Sequence, residues 1–128
     1  MPTTPQHTFP KAEKLCSDTA IERLFTDGQS VAKFPLRAVY RQNDSNVTRV
    51  LISVSKKRFH HAVDRNRVKR LVREAYRLNK QLLNVPQTLD LAFIFIGNKL
   101  PDYNAITKSV ITIIERINSA TNDSSTDK

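Results

Sequence analysis

The chain has 128 residues, a 39% hydrophobic share and a formal net charge of +9 from 21 Lys and Arg against 12 Asp and Glu. That length predicts one domain, and the longest apolar run, Leu91 to Ile96, is strand-sized rather than a membrane span of about 18 residues. The N-terminus lacks a secretory pattern, the single Cys16 permits neither an internal disulfide nor a cysteine zinc cluster, and two glycines, Gly28 and Gly97, exclude a glycine-rich phosphate loop, so we expect a cytoplasmic protein with no membrane contact and no organic cofactor.

Residues 1–14 contain Pro2, Pro5 and Pro10 without periodicity and read as an extended arm. Ser17 or Asp18 caps a short helix with Ala20, Ile21, Leu24 and Phe25 on one face, ended by Gly28. A brief strand follows near Ser30 to Lys33. Leu36 to Arg41 alternates as a half-buried strand, Gln42 to Asn46 is turn-like, and Arg49 to Ser55 is a β-branched strand. A helix runs from about Ala62 to Leu83, with Asp64 near the positive end of its dipole and Asn84, Val85 and Pro86 stopping it. Leu89 to Ile96 is a nearly continuous apolar strand, expected to be covered on both faces. Pro101 and Asp102 open a last helix with the stripe Ile106, Val110, Ile113, Ile114 and Ile117, and the polar residues 119–128 are expected to be disordered. The order α-β-β-β-α-β-α describes an α+β sandwich over residues 15–118, three helices on a sheet of about four strands.

The charge is concentrated. Between Arg49 and Lys80 stand eleven bases and two acids, Asp64 and Glu74, while the rest of the chain is balanced. Such focusing destabilises an isolated fold by self-repulsion and points to a polyanionic partner. A purely solubilising face would mix both signs, and an anionic membrane would call for large exposed apolar residues opposite the bases.

At 100° per residue, Val68, Leu71, Val72, Ala75, Leu78 and Leu82 fall within an arc of roughly 120°, the face toward the sheet. Asn66, Lys69, Arg70, Arg73, Arg77 and Lys80 lie opposite, flanked by Arg65 and Arg67. Glu74 is expected to pair with Arg70, four residues earlier. Arginine predominates, and its planar fork grips phosphate oxygens in a bidentate way. Asn66 either offers its amide to the nucleic acid or caps the helix start.

The stretch Ser53 to Arg77, SVSKKRFHHAVDRNRVKRLVREAYR, closely resembles the signature of the bacterial ribonuclease P protein component. The parts that carry the resemblance are Lys56-Lys57, Ala62-Val63, Arg65-Asn66-Arg67, Lys69-Arg70 and Arg73-Glu74, with a looser likeness from about Phe9 to Ile117. The resemblance implies an α-β sandwich like a ribosomal-protein domain, its basic helix joining two parallel strands through an uncommon left-handed crossover. It implies as partners a catalytic RNA, which cleaves with bound Mg²⁺, and precursor tRNA, whose 5′ leader is removed; DNA is not a partner. Carried over by position, Arg65, Asn66, Arg67, Lys69, Arg70, Arg73 and Arg77 would contact the catalytic RNA, with Lys56 and Lys57 near the same surface. The family's leader cleft lies on the sheet face beside the first helix. Phe25 matches one of its aromatics, and Ile21 stands where a second aromatic is frequent. The aromatic position of the second strand aligns with Val39 or Tyr40, with Arg37 on the face of Val39, and Phe9 in the arm is placed to fold over the cleft. Aromatic stacking tolerates any base sequence, which suits a subunit that meets many leaders.

Protein-borne catalysis is not expected. His60 and His61 are adjacent, point apart in a regular element and lack a third ligand at metal-site spacing. Asp18, Glu22 and Asp27 are scattered over one short helix, and Cys16 lacks an activating pattern. The rivals are a structural ribosomal-RNA-binding protein, a metal-dependent nuclease acting alone and, more distantly, a helix-turn-helix DNA reader.

Overall fold

The computed structural model describes residues 15, 18–43, 47–85 and 87–126. The expected arm with Phe9, Cys16 and the capping candidate Ser17, residues 44–46 of the expected turn, and Pro86 lie outside the described residues. Along the chain come α1 (Asp18–Asp27), β1 (Gln29–Lys33), β2 (Leu36–Gln42), β3 (Arg49–Ser53), α2 (Ala62–Asn79) with a 3₁₀ turn at Lys80–Leu82, β4 (Leu89–Phe95) and α3 (Tyr103–Thr126). This is the predicted α+β order.

The sheet order is β1-β2-β4-β3. β1 pairs antiparallel with β2, β2 antiparallel with β4, and β3 parallel with β4. A parallel pair needs a crossover, and α2 supplies it. Because side chains alternate along each strand, register sorts the sheet into two faces. Leu36, Ala38 and Tyr40 join Leu91, Phe93, Phe95 and Val50 on one face, and α2 and α3 cover them with Val68, Val72, Ala75 and Tyr76 and with Ile106, Val110, Ile113, Ile114 and Ile117. Each fully buried large aliphatic contributes about 1.5–3 kcal/mol, so this layer holds most of the fold. The other face carries a smaller cluster in which Leu24 of α1, with Ala20 and Ile21, packs with Leu15 on Val39, Ala92, Leu51 and Ile94. β4 is therefore sandwiched, and only Ile94 in it is partly exposed; this is why its sequence reads as one apolar run.

The segment entering α1 is tied to β3 by Leu15 N donating to Val50 O at 2.8 Å. At the other end of α1 the chain passes so close to β2 that a Cβ on Gly28 would collide with the Leu24 carbonyl and stand 2.7 Å from Val39 Cγ1. Glycine is required there by this close approach.

Several expectations are corrected. α2 stops at Asn79, short of the expected Leu83, because Asn79 leaves helical geometry (φ −121°, ψ 4°) and turns its side-chain amide back to Ala75 O at 2.8 Å. Leu82, expected in the core, is 41% exposed beyond that break. The buried face of α2 is instead shifted toward Tyr76, whose ring lies 5.8 Å from that of Phe93. α3 continues as helix through 119–126, where disorder was expected; no Gly or Pro interrupts the segment.

One polar group sits deep in β4. Asp90, 3% exposed, accepts from Arg49 Nε at 2.9 Å and Arg49 Nη2 at 3.1 Å, and from Asn43 Nδ2 at 2.8 Å. Thr88 Oγ1 in turn donates to Asn43 Oδ1 at 2.6 Å. Arg49, counted with the basic excess in the sequence, is thus neutralised inside the fold. Asp90 is buried while the Arg49 side chain is 26% exposed, so removing the carboxylate costs its charge-assisted hydrogen bonds rather than stranding a fully buried cation. Asp90→Ala is expected to lower unfolding stability by about 2 kcal/mol in urea titration; a loss below about 0.5 kcal/mol would show that solvent takes over the role of the carboxylate.

Candidate RNA interface

The basic helix begins after a structured loop. Arg58 N and Phe59 N both donate to Ser55 O, at 3.0 and 3.4 Å, and Lys57 N donates to Ser55 Oγ at 3.0 Å. Phe59 stacks on Phe95 with ring centroids 5.7 Å apart, which pins the loop to the end of β4. His61 stands at the N-cap without a side-chain cap bond. Arg65 serves the loop instead, its Nη1 donating to the carbonyls of Phe59 and His60 at 2.8 and 3.0 Å. A cation from the first turns of α2 therefore fixes the approach to it. Sequence reasoning missed this arrangement; its one signal was Phe59, a lone aromatic inside a basic run.

Val68, Val72, Ala75 and Tyr76 are buried, so the opposite side of α2 faces outward. Asn66, Arg67, Arg70 and Arg73 are exposed, Arg65, Lys69 and Arg77 are half-buried, and Lys56 and Lys57 are exposed on the loop. Among the described residues no carboxylate lies within salt-bridge distance of Arg67, Arg70 or Arg73. The expected Arg70–Glu74 pair is replaced by one between Glu74 and Arg77, whose Nε lies 3.2 Å from Glu74 Oε1. Glu74 is thereby engaged three residues onward instead of four residues back, and Arg70 is left exposed. Hydrogen bonding from Arg77 holds the Glu74 carboxyl below the usual glutamate range. Exposed guanidiniums that lack internal acceptors keep their donors for phosphate oxygens.

The second expected surface is the sheet face beside α1. Register settles the alternative in β2. Arg37 and Val39 are on the α1 side, with Val39 packed on Leu24 and Ala92. Tyr40 is on the opposite face, 7% exposed in the main core, where its hydroxyl donates to Gln29 Oε1 at 3.1 Å. Its assignment to this cleft is corrected, because strand alternation turns it toward α2 and α3. Burial pushes the Tyr40 phenol above its ordinary range. On the α1 side Phe25 is 47% exposed, Ile21 is partly buried, and Arg37 is exposed with its Nε donating to Ser30 Oγ at 3.0 Å. Among the described residues no three His, Cys, Asp or Glu gather as a cation site, and no helix is long and apolar enough to cross a membrane.

A parallel β3–α2–β4 crossover that carries exposed arginines over the signature stretch is the feature to compare with known proteins. The family model described as Ribonuclease P matches residues 9–118. The chain belongs to the ribonuclease P protein family. It is similar to the ribonuclease P protein component of Porphyromonas gingivalis strain W83, at 42% identity over 125 residues covering 91% of each chain. Among solved structures it is similar to the RNase P protein of Staphylococcus aureus, with a TM-score of 0.72 and 27% identity over 84% of this chain and 96% of that one. The RNase P protein of Thermotoga maritima gives a TM-score of 0.69 and 26% identity over 81% and 96%. Within this ribonuclease P protein fold, the signature occupies one loop and the outward side of one helix.

The Glu74–Arg77 pair carries a pH dependence. A carboxylate whose folded pKa is depressed adds stability that is fully present above its unfolded value, about 4.3, and is lost as the pH falls through the lower folded value. Urea midpoints followed from pH 6 to 3 are expected to fall less steeply below about pH 4.3 in Glu74→Gln than in the wild type. Superimposable profiles would contradict the contribution assigned to this pair.

Proposed function

We propose that the chain is the protein subunit of a ribonuclease P holoenzyme, which docks on a catalytic RNA through α2 and holds the single-stranded 5′ leader of precursor tRNA on the α1 side of the sheet. The observation that carries this reading is the row of exposed Arg67, Arg70 and Arg73 within the family signature, with no salt-bridge partner among the described residues. Phosphate contacts from such a row fix orientation and supply affinity without reading sequence. Asn66, Lys69, Lys56 and Lys57 extend the same surface. Arg65 contributes the part of its guanidinium that the loop carbonyls leave open, and Arg77 contributes least, being tied to Glu74.

On the α1 side, Phe25 would stack one leader base, Ile21 and Val39 would give apolar contact, and Arg37 would meet the backbone. With an aliphatic residue at positions 21 and 39, this cleft relies on one aromatic, so leader affinity rests more on phosphate contacts than on stacking. Hydrolysis is assigned to the RNA with Mg²⁺ held mainly by RNA phosphates. The protein's part in metal chemistry is electrostatic: cations on α2 lower the repulsion between RNA segments that must approach to form those sites. Membership of the family weighs against the alternative of a structural ribosomal-RNA-binding protein.

Reconstitution tests this reading. The chain added to a ribonuclease P RNA is expected to increase precursor tRNA cleavage at low Mg²⁺, whereas the protein without RNA is expected to leave the precursor intact. Arg67→Ala with Arg70→Ala is expected to raise the protein concentration needed for half-maximal stimulation at least tenfold. Cleavage by RNA-free protein, or no stimulation of the RNA, would overturn the proposal.

A further inference from the structure

At the end of the sheet where β2 begins and β4 finishes there is an open apolar groove of about 450 Å³. Phe34, Pro35, Gly97, Leu100, Pro101 and Ala105 form its walls. It shares no residue with the α1-side cleft or with the arginine row. Its volume lies in the range of small-ligand sites.

Phe34 is 70% exposed, yet the backbone beneath it is held. Ser109 on α3, 1% exposed, donates its hydroxyl to the Phe34 carbonyl at 3.0 Å, and Ile96 N donates to Pro35 O at 2.8 Å. The phenyl ring is thus presented from an anchored turn. Gly97 lets the chain pass close over the end of the sheet, because a Cβ there would stand 2.8 Å from Phe95 Cζ and 3.2 Å from Pro35 Cβ. A large aromatic left in solvent in one groove with the exposed Leu100 is apolar surface that the core does not use.

The border of the groove is basic. Lys99 lines it and is exposed, and Arg58 Nη1 donates to Asn98 Oδ1 at 2.8 Å, which brings the end of the Lys56-Lys57-Arg58 run to its edge. The nearby acid, Asp102, turns one carboxylate oxygen to Ala105 N at 2.8 Å at the start of α3. The same loop leads into α2, so groove and arginine row are contiguous along the chain.

We propose that this groove takes an unpaired nucleobase of an RNA strand, stacked on Phe34, with the flanking phosphates on Arg58 and Lys99. The inference rests on the RNA-docking reading above and adds a third contact to it. An aromatic face between cations is the arrangement that holds single-stranded nucleic acid without base preference. A second copy of this chain is the poorer occupant, since two molecules of net charge +9 repel each other.

The chain contains no Trp, so Phe34→Trp places one indole at the groove. Titrating this full-length variant with a short single-stranded oligoadenylate is expected to quench the indole saturably. An abasic oligomer of equal length is expected to quench it much less. In the otherwise unaltered chain, Phe34→Ala is expected to weaken oligoadenylate binding about tenfold, as for the loss of one stacked base, without lowering the thermal midpoint of this exposed site. No quenching, or equal quenching by the abasic oligomer, overturns the proposal. Self-association that Phe34→Ala abolishes, in a variant that gives no nucleotide response, assigns the groove to a second copy and also overturns it. If the wild type binds the catalytic RNA while the indole is silent, the groove alone is refuted. If the wild type does not bind that RNA, the docking reading fails, and the indole signal still decides the groove.

Discussion

Burial of one side of α2 decides where the charge of this protein goes. Val68, Val72, Ala75 and Tyr76 are drawn into the layer between the sheet and the helices, which also buries Phe93 and Phe95, the largest fully buried side chains among the described residues. Rotating α2 to hide its arginines would bring these residues out, at about 1.5–3 kcal/mol for each large side chain exposed. No comparable gain is available from the arginines, because Arg67, Arg70 and Arg73 have no carboxylate to meet among the described residues. The hydrophobic term therefore fixes an electrostatic surface, and the repulsion along that surface is relieved when an anionic partner binds.

The opposite face of the sheet is governed by the short length of α1. Ten residues cover the row of Val39, Ala92 and Leu51 but leave Arg37 exposed and Ile94 partly so. The close contact at Gly28 holds α1 against β2, with Phe25 half in solvent next to the uncovered row. One side of the sandwich is thus a closed core and the other a partly open floor. The loop after β3 leads from the sheet to the N-terminal end of α2. Two acids follow the same division: Asp90 pairs with Arg49 on the sheet and Glu74 occupies Arg77 at the far end of the row, while Lys56, Lys57, Arg67, Arg70 and Arg73 stay exposed on the loop and along α2.

Much of this was legible in the sequence, for identifiable reasons. Alternation marked β2, β-branching marked β3, and the nearly continuous apolar run Leu89 to Ile96 announced a strand covered on both faces, which β4 is. The arginine row was legible because a helix with one apolar arc has only one place for its charges. What failed depended on contacts between distant segments. The pairing of Glu74 with Arg77 instead of Arg70 depends on rotamers along an exposed helix, where i,i+3 and i,i+4 partners compete closely. Tyr40 and Val39 are neighbours, and only register with β4 says which of them faces α1. Arg49 looked like part of the basic patch because Asp90 stands 41 positions away. The turn at Asn79 was hidden because asparagine occurs inside helices as well as at their ends, and here the bond of its side chain to Ala75 O accompanies the break.

The central claim is that the exposed guanidiniums of α2 bind phosphates, and salt dependence tests it most directly. Each neutralised phosphate adds about 0.7 to 0.9 to the slope of log affinity against log salt. The affinity for the catalytic RNA should be measured across salt concentrations for the wild type and for the triple variant Arg67→Ala, Arg70→Ala, Arg73→Ala. The account predicts a slope shallower by about two in the variant. A variant that binds with the wild-type slope would contradict it.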